Sequence, residues 1–263
     1  VMGAALGTAV AYICTSLPIT WFATCRDKIL ALKWDRAPFH WVWNYVMKAV
    51  KISLPIAVQS ILMSGAQIIS TIIVAPLGNV AIAAHSFAIT AESLCYMPGY
   101  GIGDAATTLV GQTFGAGRSA LCRSFARLTV GLGMSVMAAM GAIMYVFAPE
   151  MIALLSPVAD IQALGASVLR IEAFAEPFFA ASIVTYSICV GAGDTLRPAI
   201  MNLASMWCVR LTLAAYLARD YGLRGVWMAM AVELTFRGLL FLYRLFRGNW
   251  LRELEEKAPA VPA

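Results

Sequence analysis

The stretch LTVGLGMSVMAAMGAIMYVF, residues 128–147, is 20 residues long and contains no charged side chain. An α-helix rises about 1.5 Å per residue, so this stretch matches the roughly 30 Å hydrocarbon core of a bilayer. The rest of the chain has a similar character, because 61% of its 263 residues are hydrophobic and only 13% are charged. Average soluble domains are about a quarter charged. The composition therefore excludes an ordinary soluble enzyme and a disordered chain, and it predicts a membrane protein.

Six further apolar stretches are each long enough to cross a bilayer. They cover residues 1–24, 52–75, 80–111, 164–190, 199–218 and 225–246. We therefore predict an all-α, polytopic membrane protein with seven transmembrane helices.

The basic residues predict an orientation, because Lys and Arg are retained on the cytoplasmic side of a membrane. Of the 19 basic residues, 14 fall on one side, two on the other and three inside spans. This distribution places the C-terminus in the cytoplasm and Val1 outside. The chain starts at Val1 within an apolar stretch, so we expect a fragment whose earlier spans are missing.

One connector, residues 25–51, is long and polar. It is split by Pro38 and contains aromatic residues typical of membrane-interface anchors, namely Trp34, Trp41, Trp43 and Tyr45. We predict an amphipathic segment in the cytoplasmic interface. A helix that binds a partner protein is the alternative.

Ionisable residues inside a span are costly and therefore mark candidate functional sites. They are His85, Glu92, Asp104, Arg170, Glu172, Glu176, Arg210, Glu233 and Arg237, with Asp194 at the end of the fifth span.

Glu92 is the strongest candidate, because Pro98 follows it in the same span. A proline removes a backbone donor and frees the carbonyl four residues earlier. Pro177 repeats this arrangement directly after Glu176. A broken helix beside a buried acid is typical of transporter sites at mid-membrane depth. The alternative is an ordinary kink filled by packing.

Charged residues four positions apart share a helical face. Glu172 and Glu176 would repel each other there, which favours a proton-exchanging acid. The alternative is that one of them is solvated at the interface. Glu233 and Arg237 have the same spacing and predict a structural ion pair.

A polar stripe at helical spacing runs along the second span through Gln59, Met63, Gln67 and Thr71. Lipid disfavours such a face, so it should meet either a wet cavity or hydrogen-bonding groups of other helices. No HExxH, GxSxG or P-loop motif and no metal-ligand spacing occurs in the sequence. We therefore expect no enzyme, no bound metal, no cofactor and no nucleic-acid partner.

Several motifs follow one another along the chain: Val74-Ala-Pro-Leu-Gly78, Ala81-Ile-Ala-Ala-His85, Met97-Pro-Gly99, Ala105-Ala-Thr-Thr-Leu-Val-Gly-Gln112 and Gly191-Ala-Gly-Asp-Thr195. In this order and spacing they resemble the multidrug and toxic compound extrusion (MATE) transporters. The resemblance extends from Met2-Gly-Ala-Ala-Leu6 to Gly248-Asn-Trp250.

The resemblance implies a fold and a division of the chain. Members of the family have twelve spans in two six-helix lobes around a cavity. Residues 1–24 would be the last helix of the N-lobe, 25–51 the cytoplasmic linker, 52–247 the six-helix C-lobe and 248–263 a cytoplasmic tail. The remainder of the N-lobe is missing from this chain.

The resemblance also implies export of cationic, amphipathic compounds in exchange for H⁺ or Na⁺. Some members place an acid in the helix that matches residues 52–75, where Met63 stands here. A sodium site in this lobe is therefore not expected, and proton coupling is favoured. Asp194 resembles the acid of the motif that closes the family's tenth helix.

We therefore predict a secondary active multidrug efflux antiporter in the inner (plasma) membrane. Its partners would be small organic cations, the lipid bilayer and the missing N-terminal lobe. The acids expected to titrate or to face the substrate are Glu92, Glu176 and Asp194, and the expected polar cavity residues are Gln59, Gln67 and His85.

Three alternatives remain at this point. A flippase of lipid-linked sugars, in the same superfamily, keeps the fold and changes the cargo. A seven-span receptor fits the span count, although a retinal-binding version would need a lysine that residues 225–246 lack. An intramembrane enzyme is disfavoured by the missing motifs.

Overall fold

Helices provide all the regular structure of the described residues, which are 2–26 and 42–247 of this computed structural model. The α-helices are α1 (Met2–Trp21), α2 (Trp43–Val74), α3 (Asn79–Gly115), α4 (Ser119–Leu155), α5 (Ala159–Glu172), α6 (Glu176–Gly191), α7 (Leu196–Ala204) and α8 (Leu211–Phe246). A 3₁₀ turn covers Ala75–Leu77, and π-helical turns cover Phe22–Arg26 and Ser205–Arg210. The predicted all-α class is confirmed.

Two predicted segments lie wholly or partly outside the described residues. The interface anchors Trp34 and Trp41 fall in residues 27–41, and the predicted tail is 248–263. Helix α2 already begins at Trp43. The last part of the predicted interface segment is therefore continuous with the second span.

The chain divides into two compact units, Val1–Met47 and Lys48–Ala263. In the first unit, α1 and its π-helical extension expose large apolar side chains, including Tyr12 and Trp21. Residues Ala5–Arg26 are long and apolar enough to cross a membrane. The unit therefore presents an extended apolar surface.

Within the described residues, all seven predicted apolar stretches lie on helices, apart from the bend at residues 173–175. Among the described residues, five helical stretches satisfy the length and hydropathy of a membrane span, and a sixth is added when the bent pair α5–α6 counts as one. The last of the five stretches, Leu196–Phe246, is 51 residues long. At 1.5 Å per residue this is about 77 Å, more than twice the thickness of a bilayer core.

The chain reverses within this last stretch at Gly222. Its φ of 57° and ψ of −137° lie outside the helical region, in a conformation open to glycine. On the two sides of the turn, Ser205 bonds to Glu233 and Arg210 to Met230. This register is antiparallel, so the stretch contains both the sixth and the seventh predicted spans.

The two prolines that follow buried acids have different effects. At Pro177 the chain bends by 59° between α5 and α6, as predicted. At Pro98 the predicted break is wrong, because α3 continues from Asn79 to Gly115. Directly after the proline, Gly99 packs closely against α4, where an added Cβ would collide with the Met137 sulfur.

Helices α3 and α6 meet backbone to backbone at one end. A Cβ added to Gly191 of α6 would collide with the Thr107 backbone of α3. The Thr107 hydroxyl donates a hydrogen bond to the Ser187 carbonyl oxygen at 3.0 Å. These contacts position Glu92 on α3 relative to Glu176 on α6.

Candidate functional site

Two neighbouring cavities lie among α2, α3, α6 and the α7–α8 stretch. Their volumes are about 420 Å³ and 380 Å³, which is within the range of small-molecule sites. Met63, Tyr100, Phe179 and Arg237 line both of them. We refer to them as the larger and the smaller cavity.

The polar stripe of α2 faces these cavities, and a cavity was one of the two environments predicted for it. Met63, Gln67 and Thr71 line the larger cavity, and Gln59 and Met63 line the smaller one. The other predicted environment, a hydrogen bond to another helix, also occurs at one position. The hydroxyl of Tyr186 donates a hydrogen bond to Gln59 Oε1 at 2.9 Å.

Glu92 lines the larger cavity from the middle of α3. Only 6% of its surface is exposed. Arg210 lines the same cavity from the π-helical turn Ser205–Arg210, and the two groups interact electrostatically. The cavity therefore presents both signs of charge.

Arg210 lies inside a predicted span but is not among the predicted site residues. The sequence does contain a sign that Arg210 has no ion-pair partner on its own helix. No acid stands three or four residues from it, whereas Glu233 stands four residues from Arg237. An arginine without a partner on its own helix must be compensated from another helix or by a ligand.

The predicted ion pair on α8 is confirmed. Arg237 Nε lies 3.3 Å from Glu233 Oε1, and the Ser205 hydroxyl donates to the same oxygen at 2.6 Å. The Arg237 guanidinium also lies over the Phe179 ring, 5.6 Å from its centroid. Because Arg237 lines both cavities, the pair is structural and also forms part of the cavity wall.

Two further carboxyl groups lie behind this wall. Glu172 and Glu176 are each 1% exposed, and none of their four oxygens has a hydrogen-bond partner in the described part of the chain. The spacing of four residues predicted that they share one helical face. This prediction is wrong, because α5 ends at Glu172 and α6 begins at Glu176. They nevertheless interact electrostatically with each other and with Glu92.

Gly141 of α4 makes room for this pair. A Cβ added there would lie 2.8 Å from the Ala173 carbonyl oxygen and 3.1 Å from Glu176 Cβ. Both neighbours belong to the bend between α5 and α6. The position of Glu176 therefore depends on a close approach of α4 to the bend.

His85 and Asp194 line neither cavity. His85 Nδ1 accepts a hydrogen bond from Trp227 Nε1 at 3.1 Å. Asp194 lies between α6 and α7 and forms an ion pair with Arg244 in the last turn of α8. Of the six predicted site residues, the structure thus brings Glu92, Gln59 and Gln67 to the cavities, whereas Glu176 is buried outside them and interacts electrostatically with Glu92.

The chain resembles known proteins along most of its length. A family model described as MatE matches residues 55–216. A probable multidrug resistance protein NorM of Thermotoga maritima is 27% identical over 210 residues, covering 79% of this chain and 45% of that protein. A protein of the same description from Pseudomonas syringae pv. tomato is 26% identical over 270 residues, covering 99% of this chain and 58% of that protein.

Solved structures share the fold. One is described as the outward-facing conformation of a multidrug resistance MATE family transporter of the MOP superfamily. It gives a TM-score of 0.84 at 20% identity and covers 95% of this chain and 57% of that chain. The chain therefore spans about half the length of the relatives that it matches.

Proposed function

Because the chain belongs to the MatE family, we propose that it is part of a secondary active transporter that exports small cationic, amphipathic compounds. The chain is a multi-pass membrane protein with helices long and apolar enough to span a bilayer. We further propose that residues 52–247 form the C-lobe of this transporter and that the rest of an N-lobe completes it. The asymmetry of basic residues supports a cytoplasmic C-terminus in the inner membrane.

The observation that carries the proposal is the position of Glu92. Its carboxyl group lines a 420 Å³ cavity whose other walls are largely apolar or aromatic, among them Ile89, Tyr96 and Phe179. A buried acid attracts a cation, and an apolar wall accommodates the hydrophobic body of the same molecule.

For the coupling ion we favour H⁺. Glu172 and Glu176 interact electrostatically with Glu92, and no residue that the structure describes donates a hydrogen bond to their oxygens. An ionised carboxylate is costly in such surroundings, so we propose that these groups carry protons. Because the three acids interact electrostatically, protons on Glu172 and Glu176 and a cationic cargo at Glu92 would affect each other through the shared charge of this cluster.

The test replaces Glu92 by Gln in the gene product expressed from its natural start. Glu150→Gln, which changes an exposed acid on α4, is the matched control. In cells without other efflux pumps, Glu92→Gln should raise ethidium accumulation towards the level of cells that lack the protein. Glu150→Gln should retain efflux, and both variants should reach the membrane in equal amounts. Wild-type efflux by Glu92→Gln would contradict the proposed site.

A further inference from the structure

Two arginines are held side by side on the exposed surface of the helices, away from both cavities. Arg224 of α8 donates a hydrogen bond from Nε to the Ser167 hydroxyl of α5 at 3.1 Å. Ser167 and Arg170 stand three residues apart on α5, so they are neighbours on one helical face. Arg170 donates from its own Nε to the Tyr145 carbonyl oxygen of α4 at 3.3 Å. Both arginines are exposed and line neither cavity.

The position of these arginines along the helices matches one edge of the hydrocarbon core. After Arg224, α8 continues to Phe246, which is about 33 Å at 1.5 Å per residue and equals the thickness of that core. The ion pair between Asp194 and Arg244 lies at the other end of the same span. Arg224 therefore stands where the headgroups of a bilayer begin.

The side chain of Arg170 points away from the larger cavity. Arg170 and Glu172 are two residues apart on α5, so their side chains point about 200° apart around the helix. Glu172 is 1% exposed and interacts with Glu92 in the cavity wall. On the opposite side, Phe174 and Tyr145 are 72% and 43% exposed and pack edge to face, 5.6 Å between ring centroids. Exposed aromatic rings at the edge of a membrane contact lipid.

The two guanidinium groups have most of their donors available. Each carries five N–H donors, and towards the described part of the chain each uses only Nε in a hydrogen bond. Neither forms an ion pair with a carboxylate of those residues. The Tyr145 ring holds the Arg170 guanidinium in place, 5.7 Å from the ring centroid. A phosphate group suits such a pair, because its oxygens accept parallel hydrogen bonds from a guanidinium and supply the missing negative charge.

We propose that Arg170 and Arg224 bind the phosphate of one anionic phospholipid. The acyl chains of this lipid lie against Tyr145 and Phe174. A headgroup without an ammonium is preferred, since two positive charges without an acidic partner repel a third. The bound lipid joins α4, α5 and α8 at one edge of the membrane, beside the bend between α5 and α6. The site does not depend on the proposed function, because it lies outside both cavities.

The test measures the first phospholipid that binds to the protein. Native mass spectrometry of the detergent-purified protein, expressed from its natural start, separates molecules with no lipid, one lipid or more and so yields the Kd of the first one. The probes are phosphatidylglycerol, which is anionic, and phosphatidylcholine, which has the same phosphate diester together with an ammonium group. Both carry identical acyl chains.

The variants are Arg224→Gln, Arg224→Lys, the double variant Arg170→Gln/Arg224→Gln and the matched control Arg219→Gln. Arg219 is another exposed arginine of α8, three residues before the turn at Gly222. It forms no hydrogen bond or ion pair with the described residues. The control therefore removes the same charge near the same end of the helix without removing a group of the site.

Wild-type protein should bind phosphatidylglycerol more tightly than phosphatidylcholine. Arg224→Gln should weaken the binding of phosphatidylglycerol by about 3-fold, and the double variant by about 10-fold or more, because hydrogen bonds to a charged group are lost. The double variant should change the binding of phosphatidylcholine by less than about 2-fold, which also shows that it is folded. Arg224→Lys keeps the charge without the planar fork and should fall between wild type and Arg224→Gln. Arg219→Gln should behave as wild type.

Three results would overturn the inference. Equal binding of the two lipids to the wild type would show that water, and not a lipid phosphate, solvates the arginines. Equal losses in Arg219→Gln and Arg224→Gln would show a diffuse attraction to charge without a site. Displacement of phosphatidylglycerol by excess inorganic phosphate would show that the arginines bind a free anion and that the acyl chains add nothing. Each of these results leaves the proposed function standing, because none of them measures efflux.

Discussion

Replacing Gly141 by Ala tests whether the close approach of α4 to the α5–α6 bend is required. The added methyl group would lie 2.8 Å from the Ala173 carbonyl oxygen and 3.1 Å from Glu176 Cβ. A backbone oxygen and the first carbon of a fully buried side chain cannot turn away, so the helices must separate. Overpacking of this kind costs about 1–3 kcal/mol.

The matched control is Gly131→Ala on the same helix, where an added Cβ meets nothing within 4 Å. Both variants gain the same helix propensity, about 0.5–1 kcal/mol. The difference between them therefore isolates the collision. At about 2–4 °C per kcal/mol for a chain of this size, Gly141→Ala should melt about 2–12 °C below Gly131→Ala.

The cysteines supply the assay. Cys95, Cys122 and Cys189 are buried, whereas Cys14, Cys25 and Cys208 are exposed. After the exposed thiols are blocked, a thiol-reactive fluorescent dye reports the unfolding of the buried core on heating. Equal melting temperatures for the two glycine variants would refute the reasoning, because they would show that the bend yields to α4 without cost.

Three further tests use the same melting assay or dye binding. Trp227→Phe removes the donor to His85 Nδ1 and should cost about 1 kcal/mol with binding of the cationic dye rhodamine 123 unchanged; a large loss of binding would place His85 in the site. Asp194→Asn should lower the melting temperature. The double variant Asp194→Asn/Arg244→Gln should melt only slightly lower, because the two side chains form one ion pair. Fully additive losses would show that the two side chains act independently. Gly222→Ala places a side chain at a φ of 57° and should cost about 1–3 kcal/mol, so an unchanged melting temperature would argue against the turn described there.

The sequence predicts the helices well because hydropathy is a local property. Residues 128–147 have no charge and lie within α4, and no distant contact was needed to infer that helix. The polar stripe on α2 was predictable for the same reason, since helical spacing alone puts Gln59, Met63 and Gln67 on one face. The sequence left open whether this face meets a cavity or hydrogen-bonding groups of other helices, and the structure shows both.

The effect of a proline was only half predictable. Pro98 and Pro177 each remove a backbone donor, and the sequence treats them alike. The helix continues past Pro98, where Gly99 packs under Met137 of another helix. The two prolines alone therefore did not decide which helix would break.

The ion-pair partners of charged residues were harder to predict from the sequence than the effects of the prolines. Asp194 was expected to face the substrate, but it pairs with Arg244, 50 positions away. Glu233 and Arg237 could be paired from sequence because they are four residues apart on one helix. Arg210 and Glu92 line one cavity from two helices that are far apart in the chain, and only the fold brings them together.

The backbone contact between α3 and α6 has a mechanical consequence. At Thr107, Ser187 and Gly191 no layer of side chains separates the two helices. Side chains can change rotamers and let helices slide, whereas touching backbones cannot. Helices α3 and α6 should therefore move as one rigid body that keeps Glu92 and Glu176 at a fixed separation. Any change in the width of the larger cavity must then come from its other walls, which are α2 and the α7–α8 stretch.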